Sequence, residues 1–219
     1  MAQELFASII ASMHLQNLFS TLHNKKHEKP SEILRDTFGF LLKRQESSIP
    51  ETGLGVYLHG RAKKGYIVSM YPGTIYFSGD PMFLVSLNNS YILKCTNGFF
   101  FDGKPYGLSK YIFKSLYKRI NYPGVFPTCD ISWLEKNDED LKNPLTIGQF
   151  VNNGTSIYKA NVRYQELEID SLPIELWKYI PNIHYANNES IAKAKKVVVL
   201  VATRDIKDEE LFSTYIDVS

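Results

Sequence analysis

The apolar residues Leu5, Phe6, Ile9, Ile10, Met13, Leu18 and Leu22 recur at roughly helical spacing and trace one face of a helix. That pattern predicts a helix docked on a core near the start of the chain. The polar run Lys25-Lys26-His27-Glu28-Lys29-Pro30 then breaks it and reads as a solvated linker. Ser31 is placed to cap a second helix from Glu32 to about Lys43, with Ile33, Leu34 and Phe38 facing inward. After Pro50 the pattern changes to short apolar and β-branched runs between turn residues. They are Val56 to His59, Tyr66 to Tyr71, Thr74 to Tyr76, Tyr91 to Cys95, Phe99 to Phe101, Ala160 to Glu168 and Lys196 to Ala202. Residues 104–143 mix Tyr, Lys and an acidic patch at Glu135 to Asp140 and read as an insertion of helix and loop. A short helix is predicted around Glu175 to Tyr179.

The expected architecture is mainly β with α additions. A helical N-terminal appendage covers 1–48 and a β-rich domain covers 49–219. Within that domain 49–76 form an N-terminal part, about 77–143 an insertion, and 144–219 a C-terminal part.

Composition narrows the function classes. The 219 residues are 44% hydrophobic and 13% aromatic, enough to fold around a core, so disorder is excluded as the main state. Lys plus Arg number 25 and Asp plus Glu 23, a net charge of +2, which lacks the basic footprint of a dedicated nucleic-acid binder. Cys95 and Cys129 stand far apart and the five histidines form no ligand pair, so no metal site is expected and both thiols read as reduced and packed. The N-terminal segment has Glu4 and no basic region, unlike a secretory signal, and no stretch approaches the ~18 apolar residues of a membrane span. An intracellular protein is expected, with Asn88, Asn153 and Asn188 as unused glycosylation triplets.

Taken singly, the motifs are weak. Gly53-Leu54-Gly55 lacks the third glycine and the following helix of a dinucleotide fingerprint, so alone it is a turn. Asn152-Asn153-Gly154 alone reads as a hairpin signal. Asp208 to Phe212 alone reads as a surface turn leading into a packed strand.

Together and in order they resemble the SET-domain protein lysine methyltransferases. Gly53-Leu54-Gly55-Val56-Tyr57 resembles the opening GxG strand, and Val68-Ser69-Met70-Tyr71-Pro72-Gly73 the Y-x-G segment. Gly148-Gln149-Phe150-Val151-Asn152-Asn153, with Asn161 downstream, resembles a degenerate RFINHSCxPN motif. Thr203 to Tyr215 is similar to the closing R-x-I-x-x-G-E-E-L-x-x-x-Y signature. The blocks VSMYPGT, NPLTIGQFVNN, ANVRYQE and LPIELWKYIPNI resemble one branch of the family, and the likeness covers roughly residues 30 to 219.

The resemblance implies a SET-type fold of several short β-sheets with a knot-like crossing, S-adenosylmethionine as cofactor, and a protein or peptide lysine as substrate. It also implies site residues. Tyr215 would supply the phenol at the mouth of the lysine channel, with Tyr71 a second channel residue. Gly53, Leu54, Gly55 and Val56 would meet the methionyl end of the cofactor, Asn152 and Asn153 the adenosine, and Phe212 would wall the adenine. The chain departs from the pattern at Asn153, which replaces the usual His, at Gly154-Thr155, which replaces Ser-Cys, and at Thr74 and Ser213. The sequence also ends four residues after Tyr215, so the expectation is that residues 104–143 close the channel, that a partner does, or that it stays open. Two functional classes follow: a protein-lysine methyltransferase, or a catalytically silent SET-fold binding module.

Overall fold

A computed structural model describes residues 2–96, 98–120, 129–169, 171–186 and 196–214, with backbone alone for 2–9 and 120. Asn188 and Tyr215 lie outside the described residues.

Helix α1 spans Ala2–Asn24. Its buried stripe is Ala11, Leu15, Leu18, Phe19 and Leu22, while Ile10 and Met13 are 48% and 65% exposed. The expected face therefore holds at Leu18 and Leu22 but is rotated at Met13. Positions 11, 15, 18 and 22 follow the helical repeat, and Met13, midway between 11 and 15, points the other way. The Phe19 ring lies 5.5 Å from that of Tyr179.

Helix α2, Pro30–Phe38, starts with Pro30 in the first turn rather than with a Ser31 cap. It also stops short of Lys43. Gly39 adopts φ 84° and returns its N–H to the Arg35 carbonyl, a left-handed stop that frees the next residues to extend. Those residues form strand β1, Phe40–Glu46, antiparallel to β2, Leu54–Ala62, from Phe40↔Gly60 to Glu46↔Leu54. Ile33 and Leu34 are buried, as expected, with Phe38 packed partly against the same core.

The remaining strands are β3 Ile67–Tyr71, β4 Gly73–Tyr76, β5 Ile92–Lys94, β6 Phe100–Asp102, β7 Asn152–Asn153, β8 Val162–Glu168, β9 Asn182–His184, β10 Lys196–Ala202, β11 Ile206–Glu210 and β12 Phe212–Ser213. They pair as four small sheets in the orders β1-β2-β11, β3-β10-β8, β12-β7 and β5-β6-β4-β9. Within the last, β4 and β9 run parallel. Between the strands lie the short helix α3, Phe83–Ser86, and α4, Gly107–Ile120. Several 3-10 turns follow, including Ile174–Tyr179, where a short helix was predicted. The main core joins α1 and α2 to β2, β3, β8 and β10. A satellite cluster forms where Phe113 and Leu116 of α4 meet Cys129, Trp133, Leu134 and Ile183. There the Phe113 ring meets Trp133 edge-on at 4.9 Å. Arg44 ties β1 to the acidic patch, pairing with the Asp138 carboxylate and donating to the Glu135 and Lys136 carbonyls.

Among the described residues no helix is long and apolar enough to cross a membrane, and no three His, Cys, Asp or Glu side chains gather to hold a metal ion. Cys95 and Cys129 are free and buried. Burial holds both thiols up, Cys95 to about 12 with the Glu166 carboxylate adding to it.

Candidate functional site

The loop between β1 and β2 brings the first predicted residues into place. Gly53 adopts φ 80°, and its carbonyl accepts from the Ser47 N–H at 2.8 Å, closing residues 47–53 into a tight turn. Nothing lies within 4 Å of where a Gly53 side chain would begin, and Leu54 beside it is 46% exposed. Gly55 is constrained by contact instead, since a side chain there would run into the Glu210 carboxylate. Val56 is fully buried, and its carbonyl accepts from Leu211 N–H at 2.7 Å.

The asparagine segment docks against the same place. Asn152 Nδ2 donates to the Leu54 carbonyl at 3.1 Å. The hairpin that Asn152-Asn153-Gly154 would signal taken alone is absent. These residues pair in parallel with the closing strand instead, Phe212↔Asn152 and Ser213↔Asn153, and Gly154 N–H donates to the Ser213 carbonyl at 2.7 Å. A hairpin signal describes local turn preference, and here a partner some sixty residues away outcompetes it. Asn153 is exposed.

Asn161 secures the opposite side of the closing strand. Its Oδ1 accepts from Phe212 N–H at 2.8 Å, its N–H donates to the Phe212 carbonyl at 2.9 Å, and its Nδ2 donates to the Glu210 carbonyl at 2.8 Å. In extended backbone, successive residues turn their polar groups to alternate sides. Residues 210 to 213 are thus held between Asn161 on one side and Val56 and Gly154 on the other. This is the crossing on which the site is built. Phe212 is 6% exposed and its ring lies 5.5 Å from that of Tyr158.

Gly53, Leu54, Gly55, Val56, Asn152, Asn153 and Phe212 therefore converge on one corner. Tyr71 stands apart at the end of β3, 1% exposed, its hydroxyl donating to the Tyr91 carbonyl at 2.8 Å. It reaches the crossing through Tyr164, whose ring meets it edge-on at 6.0 Å and whose hydroxyl lies 3.4 Å from Ser213 Oγ. Tyr215 is the one predicted site residue outside the described chain.

Three neighbours of the corner were not foreseen as site residues. Glu210, 4% exposed, accepts from Ser47 Oγ, Ser48 N–H and Ser48 Oγ at 2.7, 2.8 and 2.5 Å. Burial raises the Tyr57 phenol, and the adjoining Glu210 carboxylate raises it further. Tyr158 donates from its hydroxyl to the Ser48 carbonyl at 2.9 Å. Asn161 belonged to the motif, yet its spacing did not show that its side chain would bond both sides of Leu211. Tyr158 left no signal in the sequence. Glu210 did, as the second acid of a signature whose half-buried neighbour Glu209 pairs with Arg204.

Chemically, the corner offers an accessible glycine edge, carboxamides and a partly covered aromatic face. Such a set suits a ligand with both a polar backbone-like end and a planar ring.

No family model matches the chain. It is 42% identical over 190 residues to SET domain-containing protein 9 of Pongo abelii, a match taking in 85% of this chain and 67% of that protein. The protein of the same name from Homo sapiens is also 42% identical over 190 residues, with 85% of this chain and 62% of that protein covered. The chain thus spans less than two thirds of the human relative's length. Among solved structures, that of KRYPTONITE in complex with mCHG DNA and SAH is similar at 16% identity over 83% of this chain and 24% of that one, with a TM-score of 0.43. That of CpSET8 from Cryptosporidium is similar at 13% identity over 87% of this chain and 64% of that one, also with a TM-score of 0.43.

Proposed function

The chain belongs to the SET domain-containing protein 9 family, and from that premise we propose that it is an S-adenosylmethionine-dependent protein-lysine N-methyltransferase. The observation that carries this reading is the convergence of Gly53 to Val56, Asn152 to Gly154 and Phe212 on one corner, laced to the strand that leads toward Tyr215. The residues fit the cofactor: the Gly53 edge faces open space, and a carboxamide and an aromatic ring stand beside it.

When bound, the cofactor supplies an electrophilic methyl on a sulfonium. The chain's part is to bind, orient and exclude water. Gly53 to Val56 would hold the methionyl end through the backbone, where the missing side chains allow close approach. Asn152 and Asn153 would contact the adenosine and Phe212 the adenine. Asn153 replaces the family's His, so contacts there would run through its backbone, paired with Ser213, or its carboxamide. The substrate would present a lysine of a protein or peptide as a neutral amine. Its lone pair would take the methyl, and the new N-methylammonium would then lose a proton to solvent. Tyr215 would line the channel beside the transferred methyl. Tyr71, its hydroxyl fixed by the Tyr91 carbonyl, would shape the channel from behind.

Calorimetric titration with S-adenosylmethionine and with S-adenosylhomocysteine tests the pocket. Micromolar binding is expected of both ligands. Absence of binding at millimolar ligand to the folded protein overturns the reading in favour of a silent binding module. Tyr215→Phe is expected to keep cofactor affinity while lowering turnover on a lysine peptide by about a hundredfold. Unchanged turnover would remove Tyr215 from the mechanism.

A further inference from the structure

Glu210 is a buried carboxylate with no Lys or Arg against it among the described residues. An ionised group removed from water this far is costly unless donors surround it. Three of its donors come from one place, the start of the loop that ends in Gly53, and the Tyr57 phenol of β2 adjoins it as well. Ser47 Oγ donates to Oε1, and Ser48 N–H and Oγ donate to Oε2. The same loop is held twice more: the Ser47 N–H donates to the Gly53 carbonyl, and the Tyr158 hydroxyl donates to the Ser48 carbonyl. On its other side the Glu210 carboxylate fills the space that Gly55 leaves, while the Glu210 carbonyl accepts from Asn161.

The loop has little apolar anchoring of its own. Ser48 and Thr52 are exposed, and both Glu51 and Gly53 sit in left-handed backbone, at φ 66° and 80°. Loops of this kind keep their shape by hydrogen bonds rather than by packing.

We propose that Glu210 is the positioning residue of the cofactor edge: its carboxylate clamps Ser47 and Ser48 to the closing strand and so sets where Gly53 and Leu54 stand for S-adenosylmethionine. The inference rests on the functional reading above. Through this clamp, the strand that carries the asparagine partners and the loop that carries the first glycine move as one unit. Asn152 bonds the Leu54 carbonyl across that unit.

The test uses the full chain with Ser47 and Ser48 both changed to Ala, which keeps Glu210 and removes two hydroxyl donors from its carboxylate. Direct calorimetric binding of S-adenosylmethionine and S-adenosylhomocysteine is expected to weaken at least about tenfold, the worth of two lost charge-assisted bonds after partial compensation by water. Hydrogen exchange at the Gly53 and Leu54 amides should quicken, and the unfolding midpoint should fall with the protein still folded at the assay temperature, because the buried carboxylate loses two donors. On a lysine peptide, KM for the cofactor should rise while kcat at saturation holds. Changing both serines to Thr, which keeps the hydroxyls, should restore binding. Cofactor affinity within about twofold of the unchanged protein, in a folded double-Ala variant, overturns the clamp while leaving the functional reading intact. Failure of the unchanged protein to bind either ligand overturns the functional reading itself, and the clamp with it.

Discussion

At the crossing, Asn161 bonds through all four of its polar groups. It donates to the Phe212 and Glu210 carbonyls and accepts from the Phe212 and Thr203 N–H groups. Beneath α1, by contrast, the contact is Ala11, Leu15, Leu18, Phe19 and Leu22 against the apolar core. The polar contribution there is His14, whose Nδ1 accepts from Ile67 N–H at 3.3 Å between the Phe38 and Tyr66 rings. Both regions join parts of the chain that are distant in sequence. The first specifies which residue meets which, because a shift of one position would leave buried backbone groups unpaired. The second specifies how much apolar area is covered, and tolerates repacking as long as volume is kept.

Phe19→Ala would test the second region most harshly. Phe19 is fully buried, so the change should cost about 4 kcal/mol in urea denaturation, through lost burial and the cavity left beside Tyr179. Affinity for S-adenosylmethionine in the folded fraction should not change. Asn161→Leu keeps volume but leaves the Phe212 N–H and Glu210 carbonyl without their partner. It should cost about 3 kcal/mol and, unlike Phe19→Ala, also abolish cofactor binding. If both variants lose binding alike, the distinction between the regions fails.

Acid probes the region beneath α1 further. Burial lowers the His14 pKa below its ordinary 6.5, so the unfolded chain takes up a proton before the folded one does. The stability that neutral His14 contributes is complete above pH 6.5 and is lost as pH falls toward the lowered folded value. Asp130 acts in the opposite sense. Burial raises it from 3.8 to about 6, so its share of stability is largest at low pH and declines as pH rises through that interval. In an Asp130→Asn background, His14→Gln should therefore flatten the loss of stability below pH 6.5, as read from unfolding midpoints. An unchanged acid limb would assign that loss elsewhere, His184 being the other histidine lowered by burial. The smallest effect is expected at Met13→Gln, within about 0.5 kcal/mol, because Met13 is 65% exposed although its spacing places it on the apolar face.

Much of the β framework was legible. The runs at Ile67–Tyr71 and Lys196–Ala202 are apolar and β-branched enough to declare themselves. Strand β1 was not, because Phe40-Leu41-Leu42-Lys43 continues the helical spacing of Ile33, Leu34 and Phe38. Only Gly39 marks the change, and a single glycine also occurs inside helices. β9, Asn182–His184, has three residues and no periodicity to read. The corner residues were legible as motifs. Their meeting was not, since Leu54, Asn152, Asn161 and Phe212 lie up to about 160 residues apart and spacing carries no information across such gaps.

The sequence by itself determined the alternation of short strands, the turn at Gly53, and the order of motifs that marks the family. Each of these depends on a residue's own backbone preferences or on close neighbours. The tertiary structure alone decided that Asn152 and Asn153 pair in parallel rather than turn, that α1 buries Ala11 and Leu15 rather than Met13, and that Glu210 faces two serines beneath Gly55. Those outcomes are settled by competition among distant partners for buried hydrogen bonds and volume, and that competition exists only once the chain has closed on itself.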